Sequence, residues 1–144
     1  MTHSLENYLS KIDRFMKEDK FKEALVEVTI ALIYHNDNPE LLMKQLWICD
    51  HLRYFSDCIS YASKIIENQS IPVEHKFLAL VCKMRAHYNE NQEMAGFIAR
   101  NTALAFAEYH QSRFCTNFVY VVWSISLMEF GKRLENIRRN NLPK

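Results

Sequence analysis

The stretch that decides the fold is DKFKEALVEVTIALIYHNDNP, residues 19–39. Six apolar residues in it recur with the 3.6-residue period of an α-helix: Phe21, Ala24, Leu25, Val28, Ala31 and Leu32. In the polar run that follows, Asn38 can cap the next helix and Pro39 suits its first position. The stretch therefore predicts an amphipathic helix that needs a packing partner.

The same apolar pattern returns later in the chain, in RYFSDCISYASKII, residues 53–66. Adding 34 to the six position numbers gives six further apolar residues: Phe55, Cys58, Ile59, Ala62, Ile65 and Ile66. The preceding helix repeats as well, because Tyr8, Ile12 and Phe15 are followed at this spacing by Leu42, Leu46 and Cys49. A period of this length is typical of helix-turn-helix repeats.

Within the first unit, the residues that resemble the tetratricopeptide-repeat motif are Tyr8, Phe15, Phe21, Ala24 and Ala31. That motif places a large residue early in the first helix, an aromatic residue before the second helix and small residues inside the second helix. The resemblance covers residues 4–38 and 39–70, with a degenerate third unit over residues 71–110.

The chain departs from the motif at two kinds of position. The small glycine of the first helix is replaced by Ile12 and Leu46, and the closing proline by Asn36 and Ser70. The resemblance implies an all-α fold in which antiparallel helix pairs stack as a short right-handed superhelix. An amphipathic antiparallel bundle without repeats is the alternative.

Composition sets the remaining bounds. The 144 residues fit one domain, and 49% hydrophobic residues with two glycines and three prolines exclude disorder and turn-rich β folds. A formal net charge of +1 gives no broad field for nucleic acid. The four cysteines form no C-x-x-C pair, which favours reduced buried thiols. Residues 1–11 lack the basic flank and apolar run of a secretory signal, so a cytoplasmic location is expected.

The C-terminal half is less regular. A fifth helix over residues 72–88 and a sixth after residues 89–92 form the third pair, whose phase fits only if about three residues are inserted. FCTNFVYVVWSISLMEF, residues 114–130, is apolar nearly all round, which a buried strand could also produce. It is interpreted as a capping helix over residues 111–131, starting at Ser112, ending at Gly131 and too short to span a membrane.

Residues 132–144 then form a basic tail. Its expected role is solvation and favourable charge near a helix C-terminus, with an interaction arm for acidic protein or RNA as the alternative.

Catalytic chemistry is not expected anywhere in the chain. Two glycines cannot build a phosphate-binding loop, and the six histidines form no H-x-x-x-H pair. Cys115 and His110 are the nucleophile and the base that lie nearest to each other in sequence. Packing in the core explains this cysteine better than catalysis does. We therefore expect no enzyme activity, no metal and no cofactor.

The resemblance implies a concave surface lined by the first helix of each pair and suited to a segment of another protein. The predicted groove residues, by unit, are Leu9, Asp13 and Met16; Met43, Trp47 and Asp50; and Leu80, Met84 and His87. Aromatic anchors and methionines are enriched where interfaces concentrate binding energy, although they could instead complete the core. Relatives that clamp a C-terminal carboxylate use Lys, Asn and Arg in this groove. Because those residues are missing from the positions above, an apolar ligand segment is expected.

In size and plan the chain resembles the small chaperones of bacterial type III secretion, which hold aggregation-prone secretion subunits before export. The predicted function is therefore a chaperone or adaptor for an apolar segment of a partner protein, with no small-molecule substrate, nucleic acid or membrane span. The alternative is a self-associating scaffold or regulator, a homodimer, that uses residues 114–130. Its interface residues would be Phe118, Val122 and Trp123.

Overall fold

The computed structural model describes residues 3–141, which form seven α-helices and no strand. The helices are α1 (Leu5–Lys17), α2 (Phe21–Tyr34), α3 (Pro39–His51), α4 (Phe55–Glu67), α5 (Val73–Asn89), α6 (Glu93–Tyr109) and α7 (Arg113–Asn140). The prediction of an all-helical chain is confirmed for these residues.

Consecutive helices pack side by side along the chain. In the first pair, the ring of Tyr8 near the start of α1 stacks over Tyr34 at the end of α2, and Lys11 Nζ lies 3.0 Å from Glu27 Oε1. These contacts set α1 and α2 antiparallel, as their short connection requires. Beyond the neighbours in sequence, α3 contacts α5 and α5 contacts α7, so the odd-numbered helices share one side of the molecule.

Three helices begin after a serine or an asparagine, residue types that favour the N-cap position. Ser4 Oγ accepts from the Asn7 amide at 3.2 Å, Asn38 Oδ1 from the Leu41 amide at 3.1 Å, and Ser112 Oγ from the Cys115 amide at 3.1 Å. Each bond satisfies an amide that the first turn of a helix leaves without a backbone partner. The starts of α1, α3 and α7 are therefore fixed by local sequence.

Four connections use the same turn, in which the residue after the helix cap has a positive φ: Asp19, Arg53, Asn91 and Gln111. After α1, for example, the Lys20 amide donates to the Phe15 carbonyl at 2.8 Å and the Asp19 amide to the Met16 carbonyl at 3.2 Å. This pair of bonds defines the Schellman motif, which usually has glycine at the positive-φ position. With two glycines in the chain, other residues adopt this conformation here.

The repeat spacing holds for helix starts in the first five helices. Leu5, Pro39 and Val73 begin α1, α3 and α5 at a constant spacing of 34. From the start of the first helix of a pair to the start of the second, the spacing is 16 in the first two pairs but 20 in the third. The insertion is thus four residues rather than about three, and it lengthens α5 to 17 residues.

Helix α7 differs from its prediction. It continues through Gly131 to Asn140, so the expected helix end at Gly131 is wrong and much of the basic tail is helical; residues 142–144 lie outside the described residues. A Cβ at Gly131 would meet no atom within 4 Å, and a helix passes through such a position at a cost of about 1 kcal/mol. Among the helices of residues 3–141, α7 alone has the length and composition to cross a membrane, a test that core helices of soluble proteins also pass, so the absence of a span stays a prediction. The cytoplasmic location stays a prediction.

Tyr88 joins α5, α6 and α7. Its ring is buried against Gly96, so closely that a Cβ added to the glycine would lie 2.7 Å from two ring carbons. Its hydroxyl accepts a hydrogen bond from Trp123 Nε1 at 2.9 Å, and its carbonyl accepts one from Arg133 Nη2. These contacts hold α7 beside α5 and so form one wall of the site described next.

Candidate protein-binding trough

The odd-numbered helices enclose an open, largely apolar depression, here called the trough. Its apolar lining includes Met16 from α1, Met43 and Trp47 from α3, Leu78 from α5, Phe106 from α6, and Phe114 and Phe118 from α7. Each odd-numbered helix contributes at least one of these side chains. The trough is therefore a product of the side-by-side packing of α1, α3, α5 and α7.

Three adjoining recesses make up the trough. The first, about 340 Å³, lies between α3, α5 and α7, while the others lie toward α1 and toward the start of α7. Leu78 lines all three recesses, and Phe118 lines two of them. Because the recesses share walls, an elongated ligand could occupy them together.

Trp47 is an exposed aromatic side chain of the trough. Its side chain is 63% exposed, whereas the neighbouring Leu46 and Ile48 are buried in the core. Met43, one turn earlier on the same side of α3, is half-buried and lines the same recesses. An exposed tryptophan beside a methionine in a concave apolar surface is the composition of a binding hot spot.

Two ion pairs flank the apolar lining. Lys44 Nζ lies 2.7 Å from Asp13 Oδ1 and links α3 to α1, and Arg85 Nη1 pairs with Asp50 Oδ1 and links α5 to α3. Cys82, one turn before Arg85 on α5, lines the trough wall. Burial and the nearby Asp50 carboxylate raise the pKa of the Cys82 thiol to about 12, so the thiol stays neutral at physiological pH. It acts as apolar wall, not as a nucleophile.

The structure places the predicted groove residues of the first two units as follows. Met16, Met43, Trp47 and Asp50 line the trough. Asp13 lies at its edge, in the pair with Lys44. Leu9 is half-buried and packs against the N-terminal core cluster, so it contributes to the helix pair instead.

The third unit requires a correction. Leu80 and Met84 are buried in the core between α5, α6 and α7, with exposures of 4% and 0%. His87 lines a separate recess with Leu80 and hydrogen-bonds Gln92 at 2.7 Å.

The α5 residues that face the trough are Leu78, Cys82 and Arg85, which follow Met43, Trp47 and Asp50 at a spacing of 35. If the spacing of 34 between the helix starts is applied to Met43, Trp47 and Asp50, it selects positions within one residue of these three. The predicted Leu80, Met84 and His87 follow the same three positions at a spacing of 37, which places them on the opposite side of α5.

The predicted interface residues of α7 are also placed differently. Phe118 and Val122 are half-buried and line the trough. Trp123 donates to Tyr88, and the Arg100 guanidinium lies 4.4 Å from its ring centre, so it packs against α5 and α6. The exposed apolar residues of this helix include Phe114, Val121, Ile125 and Met128, each about half exposed or more.

Comparison with protein-family models, with curated proteins and with solved structures gave no match. Within residues 3–141, no three side chains of His, Cys, Asp or Glu converge as metal ligands. The trough is therefore the feature from which a function can be inferred.

Proposed function

We propose that this protein is a non-enzymatic adaptor or chaperone that binds an apolar segment of another protein in the trough. The observation that carries the proposal is the exposure of Trp47 among Met43, Leu78 and Phe118 in one continuous depression. An amphipathic helix presents apolar residues at every third or fourth position and can fill such a depression with them. Burying Trp47 would supply a large part of the binding energy.

The narrower form of the proposal is a chaperone that shields an aggregation-prone subunit before export, as in type III secretion. The resemblance in size and helical plan favours it, and the apolar lining suits a client segment that is unstable in water. This form requires that the client stay soluble only in the presence of the protein. Coexpression of client and chaperone, with client solubility as the readout, tests it.

The main experiment compares two apolar-to-charged substitutions at exposed positions. Trp47→Glu places a charge in the trough, whereas Ile33→Glu places one on α2 at a residue that is 72% exposed and lines none of the recesses described above. Because both side chains are exposed, neither change should reduce helicity or the thermal midpoint appreciably. The two variants therefore separate binding from stability.

Affinity purification from the native host is the readout. A partner retained by the wild type and by Ile33→Glu, and lost with Trp47→Glu, supports binding in the trough. Retention of every partner by Trp47→Glu, at unchanged helicity, refutes it. The emission of Trp47 should also shift to shorter wavelength when the partner covers the indole.

A second candidate function is self-association through α7, favoured by the exposed row Phe114, Val121, Ile125 and Met128. These residues recur at intervals of seven, four and three, so they lie on one face of the helix. Ile125→Glu should convert a dimer into a monomer in sedimentation equilibrium. A wild type that is monomeric at all accessible concentrations rejects this candidate.

A further inference from the structure

Two carboxylates in the trough form no ion pair within the described residues. Glu40, at the second position of α3, lines the recess that contains Trp47. Glu74, at the second position of α5, lines the recess that contains Phe114. Both are exposed, and neither side chain forms an ion pair or a hydrogen bond within the described residues.

The basic side chains of the trough are, by contrast, already neutralised. Lys44 pairs with Asp13 and Arg85 pairs with Asp50, as described above. The charge that remains for a ligand is therefore negative, although the whole chain has a formal net charge of +1. Complementary charge at the edge of an apolar site determines which partners dock and in which register.

The sequence repeat explains how the carboxylates reach these positions. Glu6, Glu40 and Glu74 recur at a spacing of 34, and each is the second residue of its helix. A carboxylate in the first turn stabilises the positive end of the helix dipole, so all three contribute to helix stability. Glu6 lines none of the trough recesses. Glu6 is therefore a matched control, because it interacts with its helix dipole in the same way but does not lie in the trough.

We infer that the trough selects an amphipathic helix whose apolar face is bordered by lysine or arginine residues. The inference rests on the proposed function, and it adds the chemical class of the ligand. Four neighbouring helix axes at about 9 Å spacing span about 27 Å. A bound helix of about 18 residues has the same length. Its apolar residues would contact Met43, Trp47 and Phe118, while its basic residues would approach Glu40 and Glu74.

The experiment uses two labelled peptides of about 18 residues. They share one leucine-rich helical face, and their flanking positions are all lysine in one peptide and all glutamate in the other. Fluorescence anisotropy measures the affinity of each peptide for the intact wild-type protein, Glu40→Gln/Glu74→Gln, Glu6→Gln and Trp47→Glu. Circular dichroism confirms the fold of each variant.

We expect the wild type to bind the lysine peptide about tenfold more tightly than the glutamate peptide, because each exposed charge pair contributes a factor of a few. Salt should reduce this ratio. The double glutamine variant should bring the ratio close to one, whereas Glu6→Gln should leave it unchanged. Trp47→Glu should abolish binding of both peptides.

The outcomes separate the inference from the function on which it rests. If the wild type binds the two peptides equally and Trp47→Glu abolishes binding of both, the selection for basic residues is refuted. The proposed binding of an apolar segment in the trough is then still supported. Lysine-peptide binding that survives Trp47→Glu overturns the trough as its location. If the wild type binds neither peptide, the inference is refuted as well. If the wild type is then a dimer in sedimentation and Trp47→Glu converts it into a monomer, a second copy occupies the trough.

Discussion

The two glycines of the chain should respond to alanine in opposite directions. In Gly96→Ala, the new methyl group would lie 2.7 Å from two ring carbons of Tyr88, whereas ordinary contacts begin at 3.4 Å. The ring would have to retreat by about 0.7 Å, the difference between these two distances. It is held in place by the hydrogen bond from Trp123 and by the edge of Phe130, whose ring centre is 6.0 Å away.

The expected magnitude follows from two opposing effects. Overpacking a well-filled core costs about 1–3 kcal/mol, and weakening the Trp123–Tyr88 hydrogen bond adds about 1 kcal/mol. Alanine is favoured over glycine inside a helix by about 1 kcal/mol, which offsets part of this loss. The net destabilisation of Gly96→Ala should be about 1–3 kcal/mol. For a chain of this size, that lowers the thermal midpoint by about 3–10 °C.

Gly131→Ala provides the control. No atom lies within 4 Å of the added methyl group, so only the helix-propensity gain remains, about 0.5–1 kcal/mol of added stability. Urea unfolding followed by far-ultraviolet circular dichroism measures both variants against the wild type. A Gly96→Ala protein as stable as the wild type would refute the close packing of α6 against Tyr88 and the anchoring of α7 derived from it.

Three further predictions concern stability. Trp123→Phe removes the hydrogen bond to Tyr88 and should lower the free energy of unfolding by about 1–2 kcal/mol, measured with urea; an unchanged value contradicts this bond. Gln111→Gly relieves a backbone φ of 53° and should raise the urea midpoint by the equivalent of about 0.5 kcal/mol; an unchanged or lower midpoint contradicts the positive φ. Burial raises the pKa of Cys49 to about 11 and of Cys82 to about 12, above the value of 9.0 for an unperturbed thiol. The unfolded chain therefore loses these protons first, and stability should fall as pH rises above about 9, less steeply after Cys49→Ala and Cys82→Ala.

Much of the secondary structure could be predicted because it depends on local sequence. The apolar period of residues 19–39 and its return in residues 53–66 gave the first four helices. Capping by Ser4, Asn38 and Ser112 depends on a side chain and an amide three residues away, so it too could be read locally. Half of the trough followed from the same register, since Met43 and Trp47 occupy repeated positions of α3.

The remainder depends on tertiary contacts. Helix α5 is apolar on several sides, and its sequence alone does not determine which side faces α6 and α7 and which faces the trough. Packing against both later helices buries Leu80 and Met84 and leaves Leu78 to line the trough. The path of α7 through Gly131 was likewise not determined locally, because a glycine can end a helix or lie within one.

The sequence by itself therefore determined that this protein is helical, where its first helices begin, and that α3 presents a tryptophan and a methionine on one side. Only the tertiary structure determined which residues of α5 and α7 complete the trough and which carboxylates at its edge form no ion pair. The physical reason is that periodicity and capping act over a few residues, whereas a concave surface is formed by side chains from several separate helices.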